Sequence, residues 1–106
     1  DNAAGALGEA DEVMEQYIGD KVIKEQGIKD VQDVVVIKEG EDFHVEVSVE
    51  IDPNMTVAEM DDIKDRLKEK LLQEKGVVDV LVDLDEDDGV RTWKKSSKPL
   101  EEIYEK

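Results

Sequence analysis

Phe43-His44-Val45-Glu46-Val47-Ser48-Val49-Glu50-Ile51 alternates apolar and polar residues without a break. Successive side chains of a strand point to opposite faces, so this stretch is a strand with one face buried and one open. Phe43, Val45, Val47, Val49 and Ile51 belong to the core side; His44, Glu46, Ser48 and Glu50 belong to the other. Upstream, Val31-Gln32-Asp33-Val34-Val35-Val36-Ile37 is β-branched and supplies a partner strand. Lys38-Glu39-Gly40 between them has the form of a three-residue hairpin loop, with Gly40 in the left-handed third position. A loop of odd length pairs odd residues with odd ones. Val35 and Ile37 are then expected on the core side with Phe43 and Val45, and Gln32, Val34 and Val36 on the open side with His44 and Ser48.

Helices flank this hairpin. From Glu9 onward, Val13, Met14, Tyr17, Ile18 and Val22 recur at steps of one, three and four, which predicts a helix over about residues 9–26, closed by Gly27. Asp52-Pro53-Asn54 breaks the second strand. Thr56 with Glu59 three residues on is a capping-box signature, and Val57, Met60, Ile63, Leu67 and Leu71 form the apolar stripe of a second helix ending at Gly76. Val77 to Leu84 gives a third strand, with Val78, Val80, Val82 and Leu84 on the core side and Asp79, Leu81, Asp83 and Asp85 opposite.

The order αββαβ has one long crossover, and right-handed crossovers join parallel strands. The expected fold is α+β and ferredoxin-like: a three-stranded mixed sheet with both helices on one face. The uncovered face combines Val34, Val36 and Leu81 with polar neighbours. Apolar residues on a bare sheet face mark a partner surface, so these three are the predicted dimer-interface residues.

The 106 residues carry 30 acids against 14 bases, a net charge of −16. Such a surface repels phosphate backbones and anionic headgroups, which argues against nucleic-acid binding and favours divalent cations or a basic partner. Cysteine is absent, which removes disulfides and thiolate ligands together. The longest apolar run, Val34 to Ile37, is far short of the roughly 20 residues of a membrane helix, so direct membrane insertion is not expected.

The arrangement resembles the cytosolic C-terminal domain of cation diffusion facilitator (cation efflux) metal transporters. Gly27-Ile28 opens the first strand, Gly40 sits in the hairpin, and Ile51-Asp52-Pro53 ends the second strand. Thr56-Val57-Ala58-Glu59-Met60-Asp61 then opens the second helix, and Asp79-Val80-Leu81-Val82-Asp83-Leu84-Asp85 forms the last strand. The resemblance covers a domain over residues 9–88 and implies that the small, weakly patterned residues 1–8 are a linker from a membrane domain. Beyond it, residues 89–106 read as an acidic-to-basic tail, with Pro99 to Tyr104 a candidate short helix. The resemblance further implies a cytosolic homodimer, V-shaped and joined through its sheet and hairpin, at the inner face of the cell membrane. Its partners would be the transporter's own membrane domain and divalent cations such as Zn²⁺ or Mn²⁺. The role implied is dimerisation and metal sensing, with metal/proton exchange left to the membrane helices.

Family histidines are replaced at four places, by Gln32, Ser48, Asp61 and Asp83; Asp85 keeps a typical ligand type. Asp83 and Asp85 share one strand face about 6.5 Å apart. If Ser48 lies beside Asp83, His44 lies beside Asp79. Asp83, Asp85, His44 and Asp79 are therefore the candidate metal ligands; oxygen-rich sets suit Mn²⁺, Mg²⁺ or Ca²⁺ better than Zn²⁺. The run Asp83 to Gly89 fails the EF-hand pattern, since Asp88 and Lys94 stand where Gly and Glu are needed, and it has the composition of a solvated acidic turn. With one His, no Cys and no phosphate loop, the chain is not expected to be an enzyme. A free-standing ferredoxin-like ligand- or protein-interaction module is the alternative, argued from fold alone.

Overall fold

The computed structural model describes residues 9–95. The elements are β1 (Glu9–Ala10), α1 (Glu12–Val22), β2 (Ile28–Glu39), β3 (Asp42–Ile51), α2 (Val57–Leu72) and β4 (Val77–Glu86). They form one sheet in the order β1-β2-β3-β4. β2 and β3 pair antiparallel and β3 and β4 parallel, as the crossover rule requires. This is the expected αββαβ arrangement with a three-stranded mixed sheet, to which the two-residue β1 adds an antiparallel contact with Lys38 and Ile37. The expected linker over residues 1–8 and the short helix near the chain end lie outside the described residues.

Helix α1 is shorter than its periodicity predicts because its first residues do other work. Glu9 and Ala10 pair with β2, and the Asp11 carboxylate caps the helix by accepting the Met14 N–H at 2.9 Å. The same turn covers part of the β2 edge: the Asp11 N–H donates to the Val36 carbonyl at 3.0 Å, and Glu15 Oε2 accepts the Val36 N–H at 3.0 Å. Helix α2 begins with the predicted capping box, Glu59 N–H donating to Thr56 Oγ1 and Thr56 N–H to Glu59 Oε1 at 3.1 and 2.8 Å. Tyr17 donates its hydroxyl to Glu74 Oε1 at 2.7 Å and Lys21 pairs with Glu74, tying α1 to the turn after α2. Glu25, in the turn after α1, pairs with Arg66 and Lys70 of α2.

The hairpin differs from the sequence expectation by one residue. Glu39 pairs with Asp42, so the loop is Gly40-Glu41, with Gly40 at φ 64 in the first central position. A two-residue loop with a left-handed first residue is the common tight hairpin geometry. An even loop pairs odd residues with even ones and turns β2 over. Val36 now faces Val45 and Val34 faces Val47, both inside the core; Val35 and Ile37 lie opposite Glu46 and His44 on the open face. Val34 is 5% exposed and Val36 fully buried, so neither belongs to a partner surface. A register shift between Val31 and Asp33 lets Val31 point inward as well. A second irregularity, where Phe43 and His44 of β3 meet Val77 and Asp79, puts Val77 in the core and leaves Val78 exposed, contrary to the strict alternation expected.

The core fills the space between the sheet and the two helices. Met14, Tyr17, Ile18 and Val22 of α1 and Ile63, Leu67 and Leu71 of α2 pack with Val31, Val34, Val36, Val45, Val47, Val49, Ile51 and Val82. Truncating a fully buried residue such as Leu71 to Ala would cost about 2–5 kcal/mol.

Candidate functional site

Strand pairing lays the open face out as rungs. Ile37, His44 and Asp79 form one; Val35, Glu46 and Leu81 the next; Asp33, Ser48 and Asp83 the third; Asp30, Glu50 and Asp85 the last. Neighbouring strands lie about 4.8 Å apart, so side chains along a rung are within reach of one another or of a shared ion. The register thus places His44 beside Asp79 and Ser48 beside Asp83. His44 Nδ1 lies 3.5 Å from Asp79 Oδ2, and its Nε2 lies 3.4 Å from Glu39 Oε1. Glu39, at the end of β2, is a third group at this position that the sequence reading did not include. Asp83 and Asp85 sit exposed on the same face of β4. Of the predicted interface residues only Leu81 is on this face, half exposed; Val35 and Ile37, in its own and the adjoining rung, are the apolar residues that share it.

The last rung is built differently. Asp30 and Glu50 are each 1% exposed because the chain after β4 passes over them. The Asp87 N–H continues the ladder to the Ile51 carbonyl at 2.9 Å. Arg91 then pairs with both Asp87 oxygens at 2.7 and 3.2 Å, which holds the Asp87 carboxyl down to about 2. Farther on, the Thr92 and Trp93 N–H groups donate to Asp30 Oδ2 and Oδ1 at 2.7 and 3.0 Å. Burial pushes the Asp30 carboxyl up, but these two bonds and one from Val31 N–H outweigh it and leave the pKa lowered. The Trp93 indole donates to Asp20 Oδ1 at 3.0 Å and lies against Gly19 of α1, where a Cβ would meet ring carbons at 2.0 Å. The run after β4 is thus a strap bound back to β2 and α1, rather than a solvated turn. The sequence reading missed it; its only traces there are a glycine inside a helix and a lone tryptophan, neither of which names the other as partner.

Glu50 has one oxygen served and one not. Its Oε2 accepts from Gln32 Nε2 at 2.7 Å, while Oε1 is buried without a hydrogen-bond partner. Burial, with the nearby charge of Asp88 next, pushes its carboxyl above the usual range. Carboxylate oxygens of Glu50, Asp87 and Asp88 lie within 4.8 Å of one another.

Residues 10–87, nearly all of the described chain, match the family described as cation efflux protein, cytoplasmic domain. The chain belongs to this family. The same fold is found in solved structures of the MamM C-terminal domain. A nickel form of one variant superposes with TM-score 0.68 at 15% identity, covering 74% of this chain and 100% of that one. A second variant gives 0.70 at 17% identity, over 80% and 96% of the two chains. A copper form gives 0.67 at 16% identity, over 80% and 93%. Identities this low carry the fold alone. No curated protein matches the chain. Within the cation efflux domain, no helix among the described residues is long and apolar enough to cross a membrane.

Proposed function

We propose that this cation efflux domain is the dimerising, metal-sensing part of a divalent-cation transporter of zinc type, with metal/proton exchange carried out by membrane helices and no catalysis by the domain itself. In this reading it sits on the cytoplasmic side of the cell membrane and acts as a homodimer. The supporting observation is the open face: Val35, Ile37 and Leu81 form an apolar centre with acidic residues around it, opposite a core filled by both helices. Such a face suits a second copy at its centre and cations at its margins. His44 with Asp79 and Glu39, and Asp83 with Asp85, are the marginal groups through which metal would act. Unoccupied, two lobes of charge −16 repel, by about 0.4 kcal/mol per unit-charge pair at 10 Å in water before screening. Divalent ions would offset that repulsion and draw the lobes together.

Sedimentation velocity tests the interface. Val35→Glu and Leu81→Glu are expected to shift the domain toward monomer while leaving its melting midpoint within a few degrees. Val36→Glu, which places a charge in the core, should unfold it. Full dimerisation of both open-face variants would rule this face out. For the metal role, crystals soaked separately in Zn²⁺ and Mn²⁺ should give anomalous peaks at the His44 or Asp83 rung; peaks at neither would remove it.

A further inference from the structure

We propose that Glu50, Asp87 and Asp88 form a separate binding site for a hard divalent cation, Ca²⁺ or Mn²⁺, that fastens the strap after β4 to the end of the sheet. The site is built by one chain, from the end of strand β3 and the residues that follow β4. It shares no residue with the His44 and Asp83 rungs. Acidic residues gathered at a turn are common without any ion, so the clustering alone decides nothing. The deciding feature is Glu50. It is 1% exposed, its Oε2 is taken by Gln32, and its Oε1 is buried without a well-formed hydrogen bond, although the Asp88 N–H and the Asp87 carboxyl lie close to the group. Buried carboxylate oxygens are ordinarily matched by donors or by a cation, and an unmatched one calls for a missing partner.

The surroundings show what kind of partner fits. Asp30, the rung neighbour of Glu50, is already served by three backbone N–H groups. Arg91 supplies one positive charge, committed to both oxygens of Asp87. Three carboxylates against one guanidinium leave negative charge in excess, and Asp88 at the rim is exposed, which gives an ion a way in. The ligand oxygens lie within 4.8 Å of one another. Ca²⁺ bonds oxygen at about 2.3–2.6 Å, so oxygens on opposite sides of it stand about 4.6–5.2 Å apart, and the observed spread fits inside such a shell. An all-oxygen set with waters completing it disfavours Zn²⁺. The rival account is that Glu50 keeps a proton and shares it with the neighbouring Asp87 carboxylate; it predicts no response to metal.

The test is calorimetric titration of the EDTA-treated, dialysed chain at pH 7 with CaCl₂ and, separately, MnCl₂, alongside thermal unfolding followed by fluorescence of Trp93, the sole tryptophan. A saturable site with Kd of about 0.1–1 mM that survives loss of the Asp83 and Asp85 carboxylates is expected, together with a midpoint raised by about 5 °C or more at tenfold excess of ion over Kd. Glu50→Gln and Asp88→Asn should each weaken binding at least tenfold and abolish the midpoint rise, while Asp83→Asn/Asp85→Asn keeps both. Asp88 is exposed, so its variant folds even if the Glu50 variant does not. No saturable heat below 10 mM ion, or Asp88→Asn titrating like the parent chain, would overturn the proposal. Because the site lies within one protomer, either result leaves the sedimentation test of the dimer face standing on its own.

Discussion

Replacing Gly19 with Ala sets two effects of known size against each other. In a helix interior Ala is favoured over Gly by about 1 kcal/mol, so on propensity alone Gly19→Ala should stabilise the domain. The structure puts the Trp93 ring where the new methyl would go, at 2.0 Å from Cζ2 and 2.2 Å from Cη2. Real Cβ contacts are never that short, so the ring must leave. A tryptophan buries about 150–250 Å² when packed; at about 25 cal/mol per Å², losing the partial burial seen here costs about 2–3 kcal/mol. The indole bond to Asp20 adds about 1 kcal/mol. The net expectation is a loss of about 2–3 kcal/mol, or a drop of roughly 10 °C in midpoint. Urea unfolding gives the free energy, and native-state Trp93 emission reports the ring, which should shift to the red. A variant that gains stability and keeps its emission would show that the ring does not rest on Gly19, and the account of the strap would fail with it.

Two further outcomes follow from the caps and carboxylates. Thr56→Ala should cost about 1 kcal/mol in urea unfolding, and Thr56→Ser should restore most of it, because both bonds of the capping box depend on the hydroxyl and the turn it fixes. Asp87 and Asp30 have folded-state pKa values below their unfolded ones, so their contribution is complete above about pH 4 and fades as pH falls through the folded values, about 2 for Asp87. Glu50 is raised and works in the opposite sense: the stability its proton preserves is present below its unfolded value of 4.5 and is lost as pH rises above that value. In EDTA, Arg91→Met should flatten the acid limb between pH 4 and 2, and Glu50→Gln should flatten the decline above pH 4.5. Midpoints of both variants tracking the parent at every pH would refute these assignments.

The β3 alternation, the Thr56–Glu59 cap and the parallel third strand were all legible in the sequence, because each is set by residues close together or by a handedness rule. The pairing of His44 with Asp79 rested on placing Ser48 beside Asp83, and both pairs are present. The faces of β2 were not, since Lys38-Glu39-Gly40 and Gly40-Glu41 are both plausible loops and one residue of difference turns the strand over. Val34 and Val36 thereby moved from a supposed partner surface to the core, and Val35 and Ile37 took their place. The irregular step at Val78 was equally hidden, because nothing in a run of valines marks which one is skipped. Glu50 looked like any polar residue of an alternating strand. Its burial comes from a strap that starts more than thirty residues later, a contact no local pattern encodes.

The α1 turn that occupies both backbone groups of Val36 bears on how copies of this domain can meet. One margin of the sheet is plugged there by Asp11 and Glu15 and by the β1 pairing. The opposite margin is β4, whose Asp79, Asp83, Asp85 and Glu86 would confront their own kind if a second β4 came alongside. Sideways growth into a continuous ribbon, the route to fibrils for many small β-rich domains, is therefore discouraged at both borders, and stacking surface to surface is the association that remains.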